Sequence, residues 1–235
     1  WLTGAVDPRV CAIAPMVIDT LNMAKQMPLQ KLSFGGYSEQ IEDYVSRHLP
    51  ERLAEPSSKR LLELVDPYFH LKKLTMPKLI VLGTNDRYWP VDAVKMYYSD
   101  LLGEKLIHYV PNKGHGLGPG AIEAVSAFYD AVVNGRSRPQ FTWSLEKSAS
   151  EARLLIAAKD APEKAELWHA ESPTRDFREA RWSPAPAEKN GDGKFSGKLA
   201  VPEKGYAALF GRLTFKSAIG GEYALCTNVE VLGDE

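Results

Sequence analysis

The feature that most constrains the fold is a change in hydrophobic periodicity near residue 137. Before it, short apolar runs at residues 10–17, 79–82 and 106–110 alternate with helical patterns. Continuous apolar runs are typical of parallel strands that are buried on both faces, and their alternation with helices indicates βα units. Residues 1–137 are therefore predicted to form an α/β domain.

The segment between the first two runs is too long for a plain crossover. Residues 39–49 and 57–65 have helical patterns and are separated by prolines, which punctuate helices. We therefore expect a mainly helical insertion at about 20–75, placed as a lid over the site that the strand ends would form.

After residue 137 the pattern changes to period two. The stretch NGRSRPQ at 134–140 is polar and rich in Gly and Pro, as linkers between domains are. The residues that follow read as about six or seven short strands broken by turn clusters, which predicts a small β-sandwich of immunoglobulin or fibronectin III type at 138–235. NGDGKF at 190–195 resembles a calcium loop but lacks its closing acidic residue, so a hairpin turn is predicted there.

Two polar residues follow consecutive predicted strands, where open α/β sheets carry their functional groups. Asp86 follows the strand at 79–82, and His115 follows the strand at 106–110 in a Gly-His-Gly turn. Because adjacent parallel strands end side by side, Asp86 should accept a hydrogen bond from His115. The order along the chain is strand, acid, helix, strand, histidine and helix. This is the order in the second half of an α/β-hydrolase, whose triad members follow as nucleophile, acid and histidine.

Other interpretations of these residues stay open. One alternative is that Asp86 caps its own turn and His115 faces solvent. Asp92 is a competing acid, although its position where a helix should begin favours a role at the helix start. The chain has no G-x-S-x-G elbow, so the nucleophile is expected upstream of Trp1.

Composition and spacing argue against several classes of function. The 29 basic and 30 acidic residues give a net charge of -1, so nucleic acid and anionic membranes are not expected partners. No apolar run reaches the roughly 18 residues of a membrane span, and the chain has no export signal at its start. The histidines and cysteines lack metal-ligand spacing, so neither a metal nor a cofactor is predicted. Cys11 and Cys226 are not expected to form a disulfide.

Three stretches are specific enough to carry a resemblance. They are WLTGAVDPRVCAIAPMVIDTLNM at 1–23, VDPYFHLKKLTMPKLIVLGTNDRYWPVD at 65–92 and HYVPNKGHGL at 108–117. They resemble the PhoPQ-activated pathogenicity-related protein family of exported α/β-hydrolase-like proteins, which also carries a β-rich tail. The resemblance implies an exported protein whose Ser-containing elbow, a few residues before Trp1, completes a Ser-Asp-His triad with Asp86 and His115.

The sequence therefore predicts the carboxyl-terminal half of an α/β-hydrolase sheet with a helical lid insertion, followed by a small β-sandwich domain. The expected function is part of a serine hydrolase of esterase or peptidase type, acting on a small-molecule ester or peptide. The alternative is a non-catalytic secreted binding or signalling protein on a hydrolase scaffold.

The edges of the predicted sheet lead to two further expectations. The run at 106–110 is expected to form the outer edge, where exposure to solvent is acceptable. The run at 10–17 would be a bare apolar edge if left alone, which soluble proteins avoid. The chain is therefore expected to be the carboxyl-terminal part of a longer polypeptide, associated with its amino-terminal part.

Overall fold

The computed structural model describes residues 1–53 and 55–233, and it combines helices with parallel and antiparallel sheets. The helices are α1 (Leu2–Val6), α2 (Met23–Phe34), α3 (Glu42–Val45), α4 (Leu49–Arg52), α5 (Pro56–Val65) and α6 (Pro119–Val133). Short 3-10 helices cover Glu39–Ile41, Pro67–Lys73, Ala93–Met96 and Tyr98–Asp100. The strands are β1 (Lys78–Gly83), β2 (Lys105–Val110), β3 (Phe141–Lys147), β4 (Glu151–Ala158), β5 (Lys164–Ser172), β6 (Ser183–Pro186), β7 (Glu188–Gly191), β8 (Lys194–Ala200), β9 (Tyr206–Lys216), β10 (Glu222–Cys226) and β11 (Glu230–Gly233).

The three predicted apolar runs lie side by side in the predicted order. β1 and β2 pair in parallel along their whole length, and residues 10–17 run beside β1 with parallel bridges at Ile13 and Met16. The segment at 10–17 is irregular because Pro15 has no N–H to donate and Val17 has a φ of 48°. The arrangement brings the carboxyl ends of all three segments to one edge.

The insertion between residues 20 and 75 is helical, but its elements differ from the predicted ones. The pattern at 39–49 is divided between a 3-10 helix, α3 and α4, because His48 has a φ of 54° and starts a new helix just before Pro50. α5 covers the predicted helix at 57–65. α2 was not predicted, because it contains Pro28 in its interior.

The tail consists of two antiparallel sheets that face each other. One has the strand order β10-β9-β5-β6 with β11 also paired to β9, and the other has the order β3-β4-β8-β7. A side chain at Gly211 in β9 would meet Leu154 of β4, and Gly197 in β8 lies against Leu167 of β5. As predicted, the segment at 190–195 forms the turn between β7 and β8.

The outer edge of β2, which was free to face solvent, is covered by the tail. The backbone N–H of Tyr109 donates to the thiol of Cys226 at 3.4 Å, and Nδ1 of His108 lies 2.7 Å from the carbonyl oxygen of Ala224. One cluster of buried apolar side chains joins residues of β1, β2 and α6 to residues of β4, β9 and β10. The α/β part and the tail therefore share a hydrophobic core.

His108 is a buried titratable group at this junction. Burial lowers the pKa of His108 to about 4, from an ordinary value of about 6.5. The neutral ring donates from Nδ1 to Ala224, because a carbonyl oxygen can only accept. Neutral His108 therefore stabilises the fold above pH 6.5, and this contribution is lost as the pH falls toward 4.

We expect the pH dependence of stability to change in a His108→Gln variant. Between pH 6.5 and 4 the unfolded wild type binds a proton that the native state excludes, which costs the wild type up to about 3 kcal/mol at about 1.4 kcal/mol per pKa unit. Urea unfolding at pH 7.5 and 4.5 should show a smaller acid loss for the variant. The exposed His48, replaced by Asn to keep its positive φ, is the control and should behave as the wild type. Equal acid losses in His108→Gln and wild type would contradict the assignment.

Candidate active site

The turns that follow β1 and β2 interlock at Gly83. A side chain on Gly83 would collide with the carbonyl oxygens of Lys113 and Gly114, so this approach requires glycine. The backbone N–H of Asn85 also donates to the carbonyl of Lys113 at 2.9 Å. The turn that carries Asp86 is therefore held directly against the turn that carries His115.

The structure brings Asp86 and His115 together. Nδ1 of His115 lies 3.0 Å from Oδ2 and 3.3 Å from Oδ1 of Asp86, within the hydrogen-bonding reach predicted from the strand order. Because a carboxylate accepts, Nδ1 carries the proton and Nε2 remains available as a base. The side chain of His115 is 45% exposed and that of Asp86 is 6% exposed, so the acid is buried behind an accessible histidine.

Tyr88 completes this group, and the sequence analysis did not single it out. Its backbone N–H donates to Oδ1 of Asp86 at 2.8 Å, and its ring packs on the ring of His115 with centroids 4.2 Å apart. Burial raises the pKa of Asp86, and the hydrogen bonds from Tyr88 and His115 oppose that shift. A bond from an aspartate to the N–H two residues on is an Asx turn, so Asp86 caps its turn and also holds His115.

Asp92, the competing acid, lies at a helix start as predicted but does not cap it. It lies at the start of the 3-10 helix Ala93–Met96, but its side chain makes no capping bond there. Instead its buried carboxylate accepts from Arg175 of the tail at 2.5 Å, and the same guanidinium donates to Ser33 of α2. The sequence could not show this pair, because its members are 83 residues apart.

The helical insertion packs beside the acid turn. Gln30 of α2 donates to the carbonyl of Tyr88 at 2.9 Å, and the hydroxyl of Ser38 donates to the carbonyl of Arg87 at 2.5 Å. The insertion therefore lies at the carboxyl end of β1, where a lid was expected. The residues of the insertion that the structure describes leave the side chain of His115 accessible.

Asp19 is a second buried acid near this edge. It follows the segment at 10–17 and accepts a hydrogen bond from the hydroxyl of Tyr97. Burial raises the pKa of Asp19 to about 7, and the negative charge of Asp86 adds to this shift. Asp19 follows the apolar run at 10–17 as Asp86 follows the run at 79–82, so its position in the sequence carries the same signal.

Some features are not found in the part of the chain that the structure describes. Residues 1–53 and 55–233 contain no group of three or more His, Cys, Asp or Glu side chains that could hold a metal ion. Over the same ranges, no helix has the length and apolar character needed to cross a bilayer. Cys11 is exposed, Cys226 is buried, and both are free thiols.

Comparison with known proteins gives a family match over most of the chain. A family model described as PhoPQ-activated pathogenicity-related protein matches residues 1–178. The chain belongs to this family. It is also similar to autocrine proliferation repressor protein A of Dictyostelium discoideum, with 29% identity over 259 residues. That similarity covers 98% of this chain and 52% of the relative, so the chain spans about half the length of that protein.

Solved structures give only weak likenesses to this member of the family. A carbohydrate-binding module family 56 beta-1,3-glucan binding domain has 12% identity and a TM-score of 0.26, and the match covers 39% of this chain and 96% of that domain. A bromine derivative of a family 56 module has 11% identity and a TM-score of 0.29, with 42% and 97% covered. At these TM-scores the likeness does not establish a shared fold.

Gly83→Ala is expected to separate the two turns. The added methyl group meets two carbonyl oxygens, and overpacking of this kind costs about 1–3 kcal/mol. Thermal or urea unfolding measures the loss. Gly36→Ala is the matched control, because a methyl group at Gly36 meets no atom within 4 Å. Equal losses in the two variants would contradict the close approach at Gly83.

Asp19→Asn is expected to change stability in the opposite pH direction to His108→Gln. The folded-state pKa of Asp19 is raised, so its contribution is complete below pH 3.8 and is lost as the pH rises toward 7. The wild type should lose at most about 4 kcal/mol over this range relative to the variant, whose amide oxygen still accepts from Tyr97. Urea unfolding at pH 4.5 and 8 tests this. A pH-independent difference between the two proteins would rule out a raised pKa.

Proposed function

We propose that this chain is the carboxyl-terminal part of a serine hydrolase of the α/β-hydrolase class. The observation that carries the proposal is the hydrogen bond between Asp86 and His115, formed at the carboxyl ends of two adjacent parallel strands. This is the place and chain order of the acid and the histidine in such enzymes. The side chain of His115 is 45% exposed, so a nucleophile and a substrate could reach it.

In the proposed reaction, a serine from the amino-terminal part of the polypeptide attacks an ester or amide carbonyl. His115 takes the hydroxyl proton at Nε2 and returns it to the leaving group. Asp86 holds Nδ1–H and thereby fixes the tautomer and the direction of the ring. The ring of Tyr88 limits rotation of the imidazole from one face. The substrate class in this proposal is a small-molecule ester or peptide.

The fold assignment that goes with this function is also a proposal. Residues 1–137 would form the end of a hydrolase domain with its insertion at about 20–75, supported by the parallel order of 10–17, β1 and β2. Residues 138–235 would form a β-sandwich of immunoglobulin or fibronectin III type, supported by the two antiparallel sheets that face each other. Export of the protein rests on the family resemblance.

The proposed partner of the chain is the amino-terminal part of the same polypeptide. Large apolar side chains are exposed around the segment at 10–17: Val6 is 72% exposed, Met16 48% and Ile18 41%. Exposed apolar patches mark sites of interaction. A strand placed next to residues 10–17 would bring the serine to the edge that carries Asp86 and His115.

A second candidate function is a non-catalytic secreted binding or signalling protein. It is favoured by the name of the Dictyostelium relative, an autocrine proliferation repressor. In that case Asp86 would act as the cap of its turn through the bond to Tyr88, and His115 would have no partner in catalysis.

A labelling experiment separates the two functions. The whole polypeptide is treated with a fluorophosphonate probe, which reacts with activated serines, and assayed with p-nitrophenyl esters. Hydrolysis and labelling are expected in the wild type, and His115→Ala and Asp86→Ala should each lower kcat/KM at least about a thousandfold. His48→Asn and the exposed Asp192→Ala serve as controls with no expected effect. A folded wild type that neither reacts with the probe nor hydrolyses esters or peptides would favour the binding function.

A further inference from the structure

The connection between β5 and β6 lies on the proposed active site. We call residues 173–182 the tail loop. Nδ2 of Asn85 lies within hydrogen-bonding distance of three carbonyl oxygens of this loop, which share its two hydrogens. They belong to Phe177 at 3.3 Å, Arg178 at 3.0 Å and Ala180 at 2.7 Å. Asn85 immediately precedes Asp86 in the chain. The acid turn is therefore bound to a segment more than 90 residues away.

The histidine turn is bound to the same loop by a second asparagine. The side-chain amide of Asn112 donates to the carbonyl of Trp182 at 2.9 Å, and its oxygen accepts the N–H of Trp182 at 2.8 Å. Thr84 joins the two asparagines: its hydroxyl donates to the amide oxygen of Asn85 at 2.7 Å and accepts the N–H of Asn112 at 2.8 Å. Both turns are thus tied to the tail loop and to each other.

The tail loop has anchors of its own. Phe177 and Trp182 are each 2% exposed, and their rings pack together with centroids 6.1 Å apart. Arg175 forms the buried ion pair with Asp92. Because these contacts do not involve either asparagine, the loop is held independently and presents a fixed set of acceptors to the acid and histidine turns.

We propose that the tail loop is part of the active site and that Asn85 and Asn112 are positioning residues for the Asp86–His115 pair. This inference rests on the proposed hydrolase function. The hydrogen bond between the pair links two separate turns, so its length depends on where each turn is held. An error of about 1 Å in such a geometry costs on the order of a hundredfold in rate. The tail is therefore required for catalysis although it supplies no reacting group.

The test uses Asn85→Asp and Asn112→Asp in the whole polypeptide. Each replacement keeps the size of the side chain, removes its N–H donors and places a carboxylate against carbonyl oxygens. Because Asn112 has a φ of 57°, Asn112→Gly is a further variant that removes the amide without backbone strain. Asn190→Asp is the matched control: it is exposed on β7, and its amide donates to Ser196, far along the chain from both turns.

Two measurements are made on each folded variant. We expect kcat to fall about ten- to a hundredfold with little change in KM, and the far-downfield proton resonance of the His115–Asp86 bond, identified by its loss in Asp86→Asn, to weaken or disappear. A lower melting temperature with unchanged kcat and an unchanged resonance would overturn the inference, because that is the result of a purely structural role. If Asn85→Asp does not fold, the two Asn112 variants decide by the same criteria.

The hydrolase function and the positioning role of the tail loop can fail independently. If the wild type has no hydrolase activity, the proposed function fails, and the proton resonance alone tests whether the tail loop positions the pair. A resonance retained in all the folded Asn85 and Asn112 variants would then overturn the positioning role. Its selective loss, with Asn190→Asp unaffected, would support it.

Discussion

The close approach of two backbone turns at Gly83 is the constraint on which the proposed site depends. Neighbouring strands lie only about 4.8 Å apart, and the turn after β2 passes so close to the end of β1 that a methyl group there would strike its carbonyl oxygens. Parallel pairing of β1 and β2 sets this distance along their full length. Asp86 and His115, 29 residues apart in the chain, meet as a result.

Buried carboxylates near this edge are held by donors from several segments. Asp66 accepts from the backbone N–H groups of Asn22, Met23 and Tyr68, so it ties the beginning of the helical insertion to its end. Asp92 forms an ion pair with Arg175. Asp86 accepts a hydrogen bond from His115, and Asp19 accepts one from the hydroxyl of Tyr97. Burying a charge is costly unless it is paired or neutralised, and each of these groups meets that requirement in a different way.

The opposite shifts of Asp19 and His108 have a joint consequence for stability. Asp19 makes the fold less stable as the pH rises from 4 toward 7. His108 makes it more stable over nearly the same range. Their effects offset each other in the wild type. A flat pH profile of the wild type therefore does not mean that these buried groups fail to titrate.

Local patterns were enough for the strands and the acid–histidine pair, and they failed where a residue's role depends on distant partners. The apolar runs, their parallel order and the meeting of Asp86 with His115 followed from periodicity and strand order. α2 was missed because Pro28 reads as a helix boundary and because its buried residues include Gln26 and Gln30, which bond to backbone carbonyls of other segments. The cover over the outer edge of β2 could not be predicted, because nothing in residues 106–110 indicates that β10 packs on them.

The linear order of residues thus established the family, the mixture of helices and sheets and the two residues of the proposed site. The family follows from the resemblance of three stretches. The other two depend on short-range spacing or on the rule that adjacent parallel strands end together. The sharing of one core by the α/β part and the tail, the pairing of Asp92 with Arg175 and the attachment of the tail loop to Asn85 and Asn112 appear only in the folded chain. These contacts join residues 70 to 117 positions apart, and they depend on how the sheets pack, which no local periodicity encodes.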